Sequence, residues 1–239
     1  MNPMDPVRWI SPGARRILDV GCNVGELLGW CRELFPAAAL AGIDVNTAAI
    51  AIARRRLPGG DLRAGSAVEL PFPDESFDCI TCIEVLEHLP PRDWVAALAS
   101  MRRVLRVGGQ LILRVPHAGL FRWLDPNNAR FRFPTAYRAF AGRSGRDAGY
   151  PNGAADVNWH HHFTEREVEA VLGDGWSIDM KRRGGLAVVP IMSIAAWPLY
   201  RAGRGTSSGA RMLQTISSWD LAIDYGRWSY DLLVGARRC

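Results

Sequence analysis

Two carboxylates and an imidazole fall within five residues of CIEVLEHLPP (Cys82 to Pro91): Glu84, Glu87 and His88. On a helical turn, positions i, i+3 and i+4 share a face, so a helix here would set the three groups side by side. Acids crowded without a basic neighbour repel unless a proton, a substrate or a metal neutralises them. Further imidazoles stand at His117, after the apolar run GGQLILRVP, and in WHHHF (159–163), which holds His160, His161 and His162. Histidine is the usual general base near neutral pH, yet a histidine in such a place is often structural, and both readings stay open. A third group lies in LDVGCNVGE (18–26), where Asp19 near the end of an apolar run is followed by Gly21 and Gly25. Such glycines let backbone approach a ligand, and the N-terminus of a following helix supplies N–H groups. Asp44 ends the next apolar run, where a carboxylate can accept from both hydroxyls of a ribose. The dinucleotide fingerprint G-x-G-x-x-G is absent.

The elements that must position these groups alternate. RILDV (16–20), ALAGIDV (39–45), DLRAG (61–65), SFDCITCI (76–83) and GGQLILRVP (108–116) read as strands. Between them lie amphipathic stretches ending near Phe35, beginning after Asn46 as N-cap, and running from about Arg92 to Arg106. This alternation predicts an α/β fold with a parallel sheet covered on both faces. The pattern then breaks. Residues 117–160 are rich in arginine, aromatics, glycine and proline, with 141–156 reading as a loop. TEREVEAVLG (164–173) restores a helix, with Thr164 and Glu167 spaced as a capping box. WSIDMKRR is a sixth strand, and after a second insertion (184–227) the segment 228–239 supplies a seventh. The expected parts are therefore a binding half (1–116), an insertion (117–160), a return to the core (161–183), a second insertion (184–227) and a final strand (228–239). The insertions are expected to cap the sheet end where ligands bind in open α/β folds.

Composition narrows the class. The chain has 239 residues, 48% hydrophobic and 22% charged, as in ordinary globular proteins. Residues 1–116 hold 13 basic and 13 acidic side chains, so the net charge of +5 belongs to residues 117–239. All the basic residues but Lys181 are arginine, a skew that fits genome composition better than nucleic-acid binding. Cys79 and Cys82, three apart on a strand, point to opposite faces, which disfavours a shared metal or redox role. The start of the chain has no apolar signal region, so a cytoplasmic location is expected. LAVVPIMSIAAWPLY (186–200) is too short and too proline-broken to span a membrane. Flanked by bases, the stretch 184–204 could still touch a membrane surface, or serve as a cap segment or homodimer face.

The ordered series Asp19-x-Gly21-x-x-x-Gly25, Asp44, LPFPDESFDCITCIEVLEHL and LRVGGQLIL closely resembles the class I S-adenosylmethionine-dependent methyltransferases, over about residues 15–116 and again at 159–183 and 228–238. The resemblance implies a Rossmann-like seven-stranded sheet with the last strand antiparallel and helices on both faces. It implies that Asp19, Gly21, Asn23 and Gly25 lie along the methionine part of S-adenosyl-L-methionine, that Asp44 holds the ribose, that Val45, Ser66 and Ala67 flank the adenine, and that Ile83 packs beneath. Asn23 departs from the family's usual glycine, and Ser66 from its usual aspartate. The E-x-x-E-H stretch also resembles a metal-ligating segment found in two O-methyltransferase subgroups. That likeness implies Mg²⁺ or Mn²⁺ on Glu84, Glu87, His88 and His161, with His162 as an alternative. The plainer reading is that Glu and His here cap helices and bond to backbone. His117, His161 and His162 are the candidate bases. The acceptor expected is a hydroxyl of a sugar, glycolipid or related natural product, since Arg122, Arg130 and Arg132 alternate with Phe121, Trp123, Phe131 and Phe133 as in a groove for rings with anionic groups. An RNA 2′-hydroxyl is the second enzymatic reading, although no RNA-binding module is recognisable. A methyltransferase-like domain that binds without turnover is the third.

Overall fold

The structure, a computed structural model, describes residues 5–125, 128, 160–188, 191–192, 195 and 208–239. The loop expected at 141–156 and most of the aromatic and arginine alternation after Asp125 lie outside the described residues.

Five strands and three helices alternate as the apolar pattern predicts: β1 (Arg16–Val20), α1 (Glu26–Leu34), β2 (Ala39–Asp44), α2 (Thr47–Arg56), β3 (Asp61–Ala64), β4 (Phe77–Ile83), α3 (Pro91–Val104) and β5 (Leu105–Pro116). After the first insertion come α4 (Glu165–Leu172), β6 (Trp176–Gly184), α5 (Ser208–Leu221) and β7 (Asp231–Arg238). One seven-stranded sheet results, in the order β3-β2-β1-β4-β5-β7-β6. Strands β1 to β5 pair in parallel, and the last strand runs antiparallel. The buried runs of β1 and β4 have no polar face because both sides of a parallel sheet are covered.

The helices follow from local chemistry. Asn46 caps α2, its side chain accepting from the amides of Ala48 and Ala49 at 3.0 and 3.1 Å. Pro91 opens α3, where a missing N–H costs nothing. The α3 face that turns inward carries Trp94, Ala97, Leu98, Met101 and Val104.

The chain divides into two compact units. One comprises Asp5–Val115, Glu165–Lys181 and Leu233–Cys239 and holds most of the sheet; the other includes Pro116–Thr164 and Arg182–Leu232. We call them the sheet unit and the insertion unit. Cys79 and Cys82 are buried free thiols, as are Cys22 and Cys31. Burial pushes the Cys31 thiol up to about 12, and those of Cys22, Cys79 and Cys82 also rise, so these side chains stay protonated.

Candidate cofactor site and a buried polar cluster

The C-terminal ends of β1 and β2 build a cradle in the sheet unit. Gly21 follows β1 at φ +80°, and a Cβ there would lie 2.3 Å from Val85 Cγ2. Both its backbone conformation and its contact therefore demand glycine. The amides of Gly21 and Cys22 each bond to the Ile43 carbonyl, at 2.8 and 3.0 Å, which ties the turn to β2. Asn23 takes a left-handed φ of +47°, the conformation that asparagine tolerates better than other side chains, so the departure from glycine preserves the turn. Gly25, at φ +76°, is the N-cap of α1 and supplies no side-chain cap to the amides of that helix.

Asp44 is fixed rather than waving. Its Oδ2 accepts from the Asn23 amide and its Oδ1 from the Asn46 amide, both at 2.8 Å. Each oxygen keeps a second lone pair, so a diol could still donate to it. Beside it, Val45 is 57% exposed, an apolar side chain with room for a flat ring against it. Ser66 is half-buried, its Oγ accepting from the Val68 amide at 3.2 Å, while Ala67 is buried and Ile83 half-buried. Asp19 is almost fully buried and accepts from the Thr81 hydroxyl at 2.7 Å. Burial raises this carboxyl to about 7, against the lowering effect of Thr81 and with a further push from the charge of Asp44. A cation reaching Asp19 would reverse that shift. Glycine-lined backbone, uncapped helix amides, a fixed acid and an exposed apolar side chain fit the amino-acid, ribose and base parts of S-adenosylmethionine.

The opening stretch behaves differently from its expectation. No α-helix covers Glu84–His88. Glu84 is left-handed at φ +56°, and only a 3-10 turn, Leu86–His88, follows before the chain restarts as α3. The Trp94 indole donates to the carbonyls of Leu86 and Leu89, at 2.8 and 3.1 Å, and pins this turn. Glu84 accepts from the Arg114 guanidinium at 3.0 Å, an ion pair that neutralises it without a metal. Glu87 is fully buried and His88 half-buried.

His117, His160, His161 and His162 belong to the insertion unit. His117 N bonds to the Tyr230 carbonyl at 2.6 Å, and its Nδ1 lies 2.9 Å from the Ser229 carbonyl. Since a carbonyl only accepts, Nδ1 carries the proton in that bond. The His161 ring stands edge-on to Phe163, with centroids 4.6 Å apart. His162 Nδ1 donates to the His117 carbonyl at 3.0 Å, and its Nε2 lies 2.9 Å from Asp125 Oδ2. His160 Nδ1 meets the same Oδ2 at 2.5 Å. Asn128 clamps the backbone of His160 from both sides, accepting from its amide and donating to its carbonyl, each at 2.8 Å. Burial alone would raise the Asp125 carboxyl, but hydrogen bonds and positive charge from His160 and His162 hold it well below the usual carboxylate range. Asp125 and Asn128 carry no sequence signal beyond a turn-like DPNN, and their partners lie more than thirty residues away, so no local reading could find them.

Residues 18–113 match the sequence model of the Methyltransferase domain family. A phthiotriol/phenolphthiotriol dimycocerosates methyltransferase of Mycobacterium ulcerans is 39% identical over 105 residues, covering 43% of this chain and 38% of that protein. A fatty-acid O-methyltransferase of Mycolicibacterium smegmatis is 37% identical over 100 residues, 41% of this chain and 36% of that one. The chain thus matches well under half the length of these curated relatives. Among solved structures, an S-adenosylmethionine-dependent methyltransferase of Methanosarcina mazei superposes at TM-score 0.59 with 20% identity, covering 97% of this chain and 95% of its own. The [4+2]-cyclase SpnF reaches 0.62, also at 20% identity, over 98% of this chain and 79% of its own. A cyclase on this fold shows that the sheet does not dictate the reaction. Strand order, glycine turn and family match agree: residues 18–113 are a methyltransferase domain of the class I S-adenosylmethionine-dependent family.

Proposed function

We propose that this chain binds S-adenosylmethionine in the Gly21–Asp44 cradle and directs its methyl group to a hydroxyl of a small-molecule acceptor, a sugar, glycolipid or lipid-like natural product. The observation that carries the reading is the cradle itself: a turn closed to any side chain at Gly21 beside an Asp44 whose two oxygens are already aimed. When bound, the cofactor supplies an electrophilic methyl on a sulfonium. Asp44 would hold the ribose hydroxyls, Val45, Ser66 and Ala67 the adenine, Ile83 the underside, and Gly21, Asn23 and Gly25 the amino-acid end. Asp19 would favour the cationic part of the ligand. The lipid acceptors named for the relatives from M. ulcerans and M. smegmatis support the class of acceptor.

A hydroxyl must lose its proton as it attacks, so a base is needed. Of the three candidates, His117 fits best, because Nδ1–H is held by the Ser229 carbonyl, and in a neutral ring the lone pair would then belong to Nε2. Both ring nitrogens of His162 face acceptors, which suits a donor rather than a base. His161 remains the alternative. Metal assistance at Glu84, Glu87, His88 and His161 is a separable part of the proposal, weakened at Glu84 by Arg114. Peripheral membrane contact through 184–204 is supported by the exposure of Ile191, while most of that segment lies outside the described residues.

The test is incubation with methyl-labelled cofactor and separate pools of glycans, lipids, quinol precursors and short RNAs, with and without EDTA. Label is expected in the glycan or lipid pool. Transfer to RNA alone would replace the small-molecule reading, and full activity in exhaustively chelated protein would remove the metal. His117→Ala should lower kcat by about 10²–10⁴-fold while cofactor affinity holds.

A further inference from the structure

We infer that Asp125, His160 and His162 form a binding site for a divalent ion of the Zn²⁺ class, with Asn128 and the His117 carbonyl as the outer layer that aims the ligands. Of these, only His162 is among the metal ligands that the sequence suggests, and the inference is independent of the methyl-transfer reading.

Three observations carry it. First, Asp125 Oδ2 and one nitrogen from each of His160 and His162 lie within 4.8 Å of one another, on side chains that are all buried. Second, the outer layer has the form that metal-binding histidines require. His162 donates Nδ1–H to a backbone carbonyl, which fixes the ring and leaves Nε2 as the ligand atom. Asn128 holds the His160 backbone by two hydrogen bonds, so that ring is also aimed rather than free to swing. Third, two ring nitrogens converge on one carboxylate oxygen, at 2.5 and 2.9 Å. A cation between the three atoms would take the lone pairs that meet there.

Bonds of about 2.0–2.2 Å to nitrogen and oxygen separate neighbouring ligand atoms by roughly 3–3.5 Å, so the closer pair, now at 2.5 Å, must open by roughly 0.5–1 Å. Two imidazoles and a carboxylate suit Zn²⁺ and its borderline neighbours, whereas Mg²⁺ prefers an all-oxygen octahedron. Three protein ligands leave a coordination position for water or another small oxygen ligand.

The experiment is a titration of chelator-stripped full chain with Co²⁺, read by visible d–d absorption, followed by displacement with Zn²⁺. A band saturating at one equivalent and lost to Zn²⁺, but not to Mg²⁺, is expected. Asp125→Asn and His160→Gln should each abolish it, Asn128→Ala should weaken binding about 10–100-fold, and Glu84→Gln should leave it intact. Circular dichroism checks that each variant folds; if Asp125→Asn does not, His162→Gln, which keeps the carboxylate, takes its place. No saturating band in the wild-type chain overturns the inference. So does a band that survives Asp125→Asn and His160→Gln, or a sulfur-to-cobalt charge-transfer band that places the ion on a cysteine.

Discussion

Asp19 and Asp125 are both buried carboxylates, one in each unit, and they sit in opposite electrostatic states. Asp19 in the sheet unit is paired with a neutral hydroxyl, and burial raises it to about 7. Asp125 in the insertion unit is also desolvated, but two imidazoles more than offset the cost and hold it low. The contrast extends to what surrounds them. Asp19 lies on β1, a strand of continuous apolar burial, whereas Asp125 belongs to a network that links His117, Asn128, His160, His162 and Ser229. A desolvated acid without a cation is a place prepared for a ligand, at a cost in stability. An acid already held by imidazoles ties its own segments together.

Breaking the insertion network should give the largest effect. Asp125→Asn removes the buried carboxylate on which two imidazoles converge, a loss of about 3–5 kcal/mol, read as a fall in urea midpoint. The insertion unit should suffer while the sheet unit still binds S-adenosylhomocysteine.

The opposite sign is expected at Asp19. Its folded value lies above the ordinary 3.8, so the folded state holds a proton that the unfolded chain releases between about 4 and 7. Stability from this group therefore falls as pH rises through that window and is flat above it. Asp19→Asn, which can still accept from Thr81, removes the penalty. The variant should be more stable than wild type near pH 8, by up to about 4 kcal/mol, and no more stable near pH 4, while binding the cofactor more weakly. Asp125 runs the other way, its contribution being present above the ordinary carboxylate range and lost as acid protonates it.

An exposed pair calibrates both. Lys181 reaches Glu165 and Glu169 at 3.1 and 2.7 Å on the surface of the sheet unit. Lys181→Ala should change stability by less than about 1 kcal/mol, and the difference should shrink in high salt. A loss comparable to that of Asp125→Asn would erase the distinction drawn between buried and exposed charge.

The sheet unit was legible because its signals are local. Apolar runs marked each strand, Asn46 marked the start of α2, and the two glycines after Asp19 marked a turn that the structure places at positive φ. Where local spacing is not enough, the deciding partner is distant in sequence. Helical spacing would group Glu84 with Glu87 and His88, but the strand register sets Ile83 opposite Arg114, and the next acid pairs with that arginine. Pro90 and Pro91 also disfavour continuing any helix through Leu89, since the residue before a proline is pushed toward extended backbone. In the insertion unit, WHHHF announced imidazoles without saying which would be buried together. That depends on Asp125, thirty-five residues before His160, and no periodicity connects the two.

The central claim is that Asp44 and the glycine turn hold the cofactor, and calorimetric titration with S-adenosylhomocysteine tests it most directly. Wild-type chain should bind at one site, and Asp44→Ala should lose about 1.5–3 kcal/mol of that affinity, roughly one to two orders of magnitude. Equal affinity in the two proteins, or no binding by the wild-type chain, would contradict the account.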